Sequence, residues 1–189
     1  MNNLIEDRLF INENFSNHRL TLAEYDNCTF NQCDFSNSNL SALVFTECEF
    51  IDCNLSNANI KNATFNEVIF TDCKLLGVAF KELSTFLLSL KFTSCNLQMA
   101  SFDFLKLKET VFTKCNLQQA VFYETDLNKA VFDECDLQQA QFISANLQQA
   151  DFSSAFNFSI NPNDNQLKGA KFSKDNLQGL LDSFQLKIV

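Results

Sequence analysis

Large apolar residues recur at every fifth position along most of the chain. One ladder runs without exception from Phe10 to Phe80, and after a slip of two residues a second runs from Leu87 to Phe152. The second ladder alternates Leu and Phe strictly, and sixteen of the 22 Phe lie on the two ladders. This regularity predicts a repeated structural unit of five residues.

A second, inner slot lies two positions before each large residue. All eight cysteines occupy it, together mostly with Ala and other small residues, while polar residues fill the remaining positions. A period of five matches neither a helix of 3.6 residues per turn nor a plain strand alternation. It fits short extended pieces joined by turns. Because the chain has three Gly and one Pro, we expect its abundant Asn, Asp and Ser to supply the turn conformations.

Individual units match a known repeat pattern. Ala145-Asn-Leu-Gln-Gln149 and Cys135-Asp-Leu-Gln-Gln139 fit A(D/N)Lxx, and over roughly residues 10 to 152 the chain resembles the pentapeptide-repeat family. The resemblance implies an all-β fold, a right-handed quadrilateral β-helix with four units per coil and a short C-terminal helix. Residues twenty apart should then stack, or 22 apart across the slip. The repeats make about seven coils, spaced about 4.8 Å apart.

The ladders divide the chain into a solenoid, residues 1–172, and a C-terminal segment, residues 173–189. Within the solenoid, an N-terminal cap is expected over about 1–20, the slip near 81–86, and an irregular last coil over 153–172. Arg8, Glu13 and His18 mark the cap because they fall in small slots. The slip segment is either a bulge that the coil absorbs or a protrusion that contacts a partner. Ser173 is the expected helix N-cap, and a short strand should end the chain.

The residues that could carry chemistry favour a non-enzymatic protein. Each Cys obeys the small-slot rule, so we expect free, buried thiols rather than metal ligands. His18 is the single imidazole and lies in the cap, away from any thiol. We therefore expect no catalytic residue, no metal site and no cofactor. The N-terminus lacks a signal-peptide pattern, and no apolar run approaches a membrane span, which predicts a reducing, cytoplasmic location and no membrane contact.

Charge is the more informative property of the surface. The net charge of −9 argues against direct binding of nucleic acid or anionic lipid. Residues 20–60 are net −6 and residues 121–160 net −5, whereas residues 61–120 are net +2. Two groups of acidic residues are candidates for binding a partner: Asp34, Glu47, Glu49 and Asp52 form the first acidic block, and Asp133, Glu134 and Asp136 form the second. The alternative is a solvated surface that serves solubility alone.

The C-terminal segments 161–173 (NPNDNQLKGAKFS) and 180–188 (LLDSFQLKI) make the chain similar to the Qnr-type quinolone-resistance subfamily. This resemblance implies a DNA-mimicking rod that binds DNA gyrase and topoisomerase IV, modulates quinolone susceptibility and forms a homodimer. No long loop interrupts this rod. One predicted helix face supplies the dimer interface, or else plugs the coil end; it consists of Leu177, Leu180, Leu181 and Phe184. The alternative function is an acidic structural or scaffold rod with no topoisomerase partner.

Overall fold

The computed structural model describes residues 3–186. They form a parallel β-solenoid of about eight turns that ends in a short helical segment, which confirms the expected fold class. The turns exceed the seven expected because residues 3–20 and residues 153–172 each complete a coil that pairs with its neighbour. The first coil is therefore strand-paired in the same way as the coils after it.

Short strands alternate with tight turns around each coil. The strands are β1 (Asn3–Glu6), β2 (Leu9–Ile11), β3 (Ala23–Asp26), β4 (Thr29–Asn31), β5 (Val44–Thr46), β6 (Glu49–Ile51), β7 (Thr64–Asn66), β8 (Val68–Thr71), β9 (Leu90–Thr93), β10 (Val111–Thr113), β11 (Val121–Tyr123), β12 (Val131–Asp133), β13 (Gln141–Ile143), β14 (Asp151–Phe152) and β15 (Lys171–Phe172). Within residues 3–186, three 3₁₀ segments complete the elements: Phe80–Glu82, Lys174–Leu180 and Asp182–Phe184.

The coils present four faces, numbered here in chain order around the coil. Face 1 is a nine-stranded sheet in the order β15-β14-β12-β10-β9-β8-β6-β4-β2. Face 2 is held by single bridges such as Asn54 to Lys74. Face 3 has bridges followed by the β11-β13 pair, and face 4 has the sheet β1-β3-β5-β7 followed by bridges. All these pairs are parallel, because each coil repeats the path of the one before it.

Stacked aromatic rings form the centre of the solenoid. On face 1, nine Phe rings follow one another with centroids 4.6–5.4 Å apart. From Phe80 onward a second stack on face 3, which ends at Phe142, meets these rings edge to face. Leu fills the opposite sides of the same coils, for example Leu117 and Leu127. Rings and aliphatic side chains thus share each layer of the core.

The register across the slip is the expected one, but one ladder position is wrong. Phe70 pairs with Phe92, 22 residues away. Leu87, expected as the first member of the second ladder, is 59% exposed. Backbone hydrogen bonds from Ser84 to Ala63 (2.8 Å) and from Ser89 to Phe65 (3.1 Å) hold both ends of the segment against the previous coil. The extra residues between them are therefore pushed outward.

Left-handed turn residues occur throughout the solenoid and are more varied than expected. Among residues 3–186, 27 non-glycine residues have positive φ, and besides Asn and Asp they include Glu47, Phe104 and Lys114. In each of these three the backbone N–H donates to a carbonyl of the next coil at 2.8–2.9 Å. This repeated bond offsets the roughly 1–2 kcal/mol cost of the left-handed conformation. Stacking, rather than residue type, therefore imposes the turn.

The terminal rings at both ends of the described solenoid are covered, by a side chain at one end and by a 3₁₀ segment at the other. The Arg8 guanidinium lies 4.7 Å from the centre of the Phe10 ring. At the other end the Ser173 side chain accepts a hydrogen bond from the backbone N–H of Asp175, and so caps the 3₁₀ segment as predicted. Gly179 lets this segment approach closely, because a Cβ there would lie 2.0 Å from the carbonyl oxygen of Phe158. The predicted closing strand lies mostly outside the described residues.

Candidate functional site

The first acidic block lies on and around face 1. Glu49 projects from β6, while Glu47 and Asp52 occupy the corners that precede and follow this strand. Asp34 lies on face 2, beside Asn54 of the next coil. The three residues Glu47, Glu49 and Asp52 are exposed, whereas Asp34 is half-buried. The fold therefore brings three of the four candidates to one side of the rod.

Two further carboxylates extend this block by one coil. Glu67 occupies the corner position after β7, as Glu47 does after β5, and Asp72 follows β8 as Asp52 follows β6. Both residues lie just beyond the net-negative stretch of residues 20–60, and so the sequence prediction did not include them. The twenty-residue stacking period is the signal that could have found them. Each edge of face 1 thus carries a short row of two acidic residues.

A cleft of about 500 Å³ opens at the corner between faces 4 and 1. Three carboxylates, those of Glu47, Glu49 and Glu67, line it, and Lys91 supplies the one basic side chain among its lining residues. Apolar side chains also contribute to its lining, those of Val68, Ile69 and Leu90. The cleft is therefore acidic on balance and partly apolar.

The first block is not neutralised by neighbouring cations. Glu47, Glu49 and Asp52 form no ion pair with any residue in the described range. Asp52 accepts a hydrogen bond from the Gln32 amide at 3.2 Å. Asp34 is more engaged, since one of its oxygens accepts from the Ser36 backbone at 2.9 Å and from the side chain of Asn54 at 3.3 Å.

The second acidic block is tied into the solenoid. Glu134 lies 3.8 Å from the Lys114 ammonium, and the Asp133 carboxylate accepts a hydrogen bond from the hydroxyl of Ser154 at 2.8 Å. Partial burial alone would raise the pKa of the Asp136 carboxyl. Hydrogen bonds from the side chains of Gln118 and Asn157 and from the Gln138 backbone outweigh it and lower that pKa.

Charge is therefore distributed unequally along the rod. Residues 1–80 contain eleven acidic and four basic residues, net −7, whereas residues 81–189 contain twelve acidic and ten basic residues, net −2. Five ion pairs join described residues, and all five lie between Lys81 and Lys171. The part of the rod before the slip is the more strongly acidic surface.

The cysteines are structural. All eight are free and buried, as the sequence predicts. The Cys53 thiol donates to the carbonyls of Phe30 (3.3 Å) and Ile51 (3.4 Å), and the same pattern recurs along the column. Burial raises the pKa of the Cys48 thiol to about 12. In residues 3–186 no group of His, Cys, Asp and Glu side chains could hold a metal ion.

The C-terminal candidates separate into two environments. Leu177, Leu181 and Phe184 are 43%, 36% and 49% exposed, whereas Leu180 is half-buried and packs against the core. The segment is two consecutive 3₁₀ pieces rather than one α-helical face. Three of the four predicted interface residues are therefore available on the surface. No helix within residues 3–186 has the length and apolar character needed to span a bilayer.

Comparison with protein families agrees with this architecture. The model of the pentapeptide repeat region matches residues 44–112 and 105–180. The chain belongs to the pentapeptide-repeat family. A comparison with curated protein sequences gives no significant match.

Solved pentapeptide-repeat structures share the fold. A trypsin-treated variant of QnrB1, a plasmid-mediated fluoroquinolone resistance protein, is 20% identical, with 98% of this chain and 100% of that chain covered and a TM-score of 0.52. A second trypsin-treated QnrB1 variant is 19% identical, with coverage of 98% and 91% and a TM-score of 0.54. HetL, which is involved in heterocyst differentiation regulation in the cyanobacterium Nostoc sp. strain PCC 7120, is 17% identical, with coverage of 91% and 87% and a TM-score of 0.57.

Proposed function

We propose that this protein is a non-enzymatic, cytoplasmic DNA mimic that binds type II topoisomerases, namely DNA gyrase or topoisomerase IV, and so modulates quinolone susceptibility. The observation that carries the proposal is the pair of acidic rows at the edges of face 1, Glu47 with Glu67 and Asp52 with Asp72. Glu49 adds a further carboxylate between the rows. Similarity of fold to QnrB1, a fluoroquinolone resistance protein, supports the proposed link to quinolone susceptibility.

The spacing of these charges is compatible with mimicry over a short stretch. Two corner carboxylates per coil, with coils about 4.8 Å apart, give about one charge per 2.4 Å of rod. Duplex DNA carries one charge per roughly 1.7 Å. The two densities are similar, but the rows extend over only two coils, so the contact should involve a limited part of a basic DNA-binding groove. Such complementarity raises the association rate and favours this surface over others.

Charge reversal on face 1 tests the proposal. The triple change Glu47→Lys, Glu49→Lys and Asp52→Lys should reduce inhibition of gyrase supercoiling at least about tenfold, because it replaces attraction by repulsion. Inhibition by the unaltered protein should also weaken as salt rises, since exposed charges are screened within about 8–10 Å.

The second acidic block provides the matched control. Changing Asp133, Glu134 and Asp136 to Lys alters the net charge by the same amount, but these carboxylates already have partners within the rod. We expect a smaller loss of inhibition, with thermal melting used to confirm that both triple variants are folded. Equal losses in the two variants would contradict a site on face 1. No inhibition by the unaltered protein would favour the alternative, an acidic scaffold rod without a topoisomerase partner.

We further propose that the protein is a homodimer assembled through its C-terminal segment. Leu177, Leu181 and Phe184 supply an exposed apolar surface, and a twofold contact would bury it against itself. The mass in light scattering should be about twice the 21.5 kDa of one chain. Changing Leu181 and Phe184 to Lys should give a folded monomer. The control Leu22→Lys, at another exposed leucine, should remain a dimer. A monomeric unaltered protein at micromolar concentration would refute the proposal.

A further inference from the structure

Face 3 carries an exposed apolar and acidic surface that neither the acidic blocks nor the C-terminal segment explains. Phe104 is 61% exposed, and Tyr123 and Ile143 are each 36% exposed. The rings of Phe104 and Tyr123 meet edge to face at 5.2 Å, and Tyr123 pairs directly with Ile143 across β11 and β13. We call these three residues, with the carboxylates of Glu124, Asp164 and Asp182, the face 3 patch.

The core does not require these side chains. Phe102, Phe122 and Phe142 already fill the interior layers of the same coils and are at most 5% exposed. Phe104 lies at the corner that follows Phe102, and Tyr123 is the last residue of β11, next to Phe122; both side chains are exposed. Their exposure therefore has no packing role within the described solenoid.

Carboxylates border the aromatic pair. The interaction of the Tyr123 hydroxyl with the adjacent Glu124 carboxylate raises the pKa of that hydroxyl, and the charge of Asp164 adds to this effect. Ile143, Asp164 and Asp182 line a cleft of about 400 Å³. None of the three carboxylates forms an ion pair with a residue in the range 3–186.

Two lysines close to the patch are paired with other carboxylates. Lys81, on face 3 of the preceding coil, is bound to Asp103 at 3.0 Å. Lys108, on the adjoining face, lies 3.3 Å from Asp126. The patch therefore combines aromatic rings, an aliphatic side chain and carboxylates that have no cationic partner.

We propose that the face 3 patch is a docking site for an extended cationic and apolar segment of a partner protein. Arg or Lys side chains of that segment would lie against the rings of Phe104 and Tyr123 and near the carboxylates, while its apolar side chains contact Ile143. Cations are attracted to aromatic faces, and opposite charges on the rim speed association and set orientation. Aromatic residues are also common at the centres of binding interfaces.

A second copy of this chain is the poorer occupant. In a twofold contact the same patch faces itself. Glu124, Asp164 and Asp182 of one chain would then approach the same carboxylates of the other, and like charges across an interface are unfavourable. The proposal therefore commits to a cationic partner, and it stands whether or not topoisomerase binding holds.

Two labelled synthetic peptides serve as probes, one of alternating Arg and Leu and one of alternating Arg and Ser. Fluorescence anisotropy with the full chain should show tighter binding of the Arg-Leu peptide. The double variant Phe104→Ser/Tyr123→Ser should weaken that binding about tenfold, because the cation–π and apolar contacts are lost together. Its weak binding of the Arg-Ser peptide should change less.

A charge-matched pair of variants separates the patch from the general acidity of the protein. Glu124→Gln/Asp164→Asn should weaken Arg-Leu binding about fivefold, whereas Glu6→Gln/Asp7→Asn, with the same loss of two exposed charges in the first coil, should change it less than about twofold. Equal effects of the two pairs, or equal binding of both peptides, would overturn the proposal. So would a dimer by light scattering that Phe104→Ser/Tyr123→Ser converts to a monomer, since the occupant would then be a second copy.

Discussion

Truncation of a ring in the middle of the face 1 stack should be among the most destabilising changes in the protein. Phe112 is fully buried and lies between Phe92 and Phe132, with centroid distances of 5.2 and 5.0 Å. It also meets Phe102 and Phe122 edge to face at 5.9 and 6.3 Å. A buried Phe→Ala change costs roughly 3–5 kcal/mol. Because four aromatic pairs are lost as well, we expect Phe112→Ala to fall at the upper end, about 5 kcal/mol.

The same substitution in the last coil is the matched control. Phe172 is half-buried and has one stacked neighbour, Phe152 at 5.3 Å, and one tilted neighbour, Phe158 at 5.4 Å. With a partly buried side chain, Phe172→Ala should cost about 1–2 kcal/mol. Urea unfolding followed by far-UV circular dichroism measures both losses. Costs that agree within about 1 kcal/mol would refute the reasoning that stability depends on stacking from both sides.

Two further predictions concern the thiols and the C-terminal segment. Native protein should react slowly with dithiobis(nitrobenzoate) because all eight thiols are buried, and all eight should react after denaturation. Rapid labelling of folded protein would contradict this. Gly179→Ala should release the segment from the last coil, because the new Cβ would meet the Phe158 carbonyl at 2.0 Å. Trypsin should then cleave at Lys174 faster than in the exposed control Gln178→Ala, and equal rates would contradict the close packing.

The interior of the solenoid could be predicted from the sequence because both inward slots are chemically restricted. A position that stacks on identical positions above and below accepts only side chains of suitable volume, so Phe, Leu and Cys recur at fixed intervals. Phe50 and Cys53, for example, are both buried as expected. The turn residues could not be predicted in this way. Lys114 and Phe104 adopt left-handed conformations because their N–H groups bond to the next coil, which residue type does not reveal.

The slip shows a second limit of the periodic argument. The sequence contains several leucines that could resume the ladder, and apolar character alone cannot distinguish them. The structure buries Leu83 and Leu90 and exposes Leu87, because the hydrogen bonds of Ser84 and Ser89 fix where the backbone rejoins the previous coil. The spacing of Leu177, Leu181 and Phe184 similarly suggested an α-helix. The structure has two 3₁₀ segments there instead, and Gly179 in the first of them packs closely against Phe158.

Surface function is harder to predict than the fold because the outward positions are not constrained by stacking. Counting charges along the chain identified Glu47 and Asp136 as equivalent candidates, yet one is exposed without an ion pair and the other accepts three hydrogen bonds. Only the arrangement of coils shows which charges face solvent together. Outward residues that are twenty apart in sequence lie next to each other in adjacent coils. Glu67 therefore lies next to Glu47 at an edge of face 1, and Ile143 lies next to Tyr123 on face 3. One rigid core can therefore present two chemically different surfaces, and the charge-matched variants on faces 1 and 3 test each surface independently of the other.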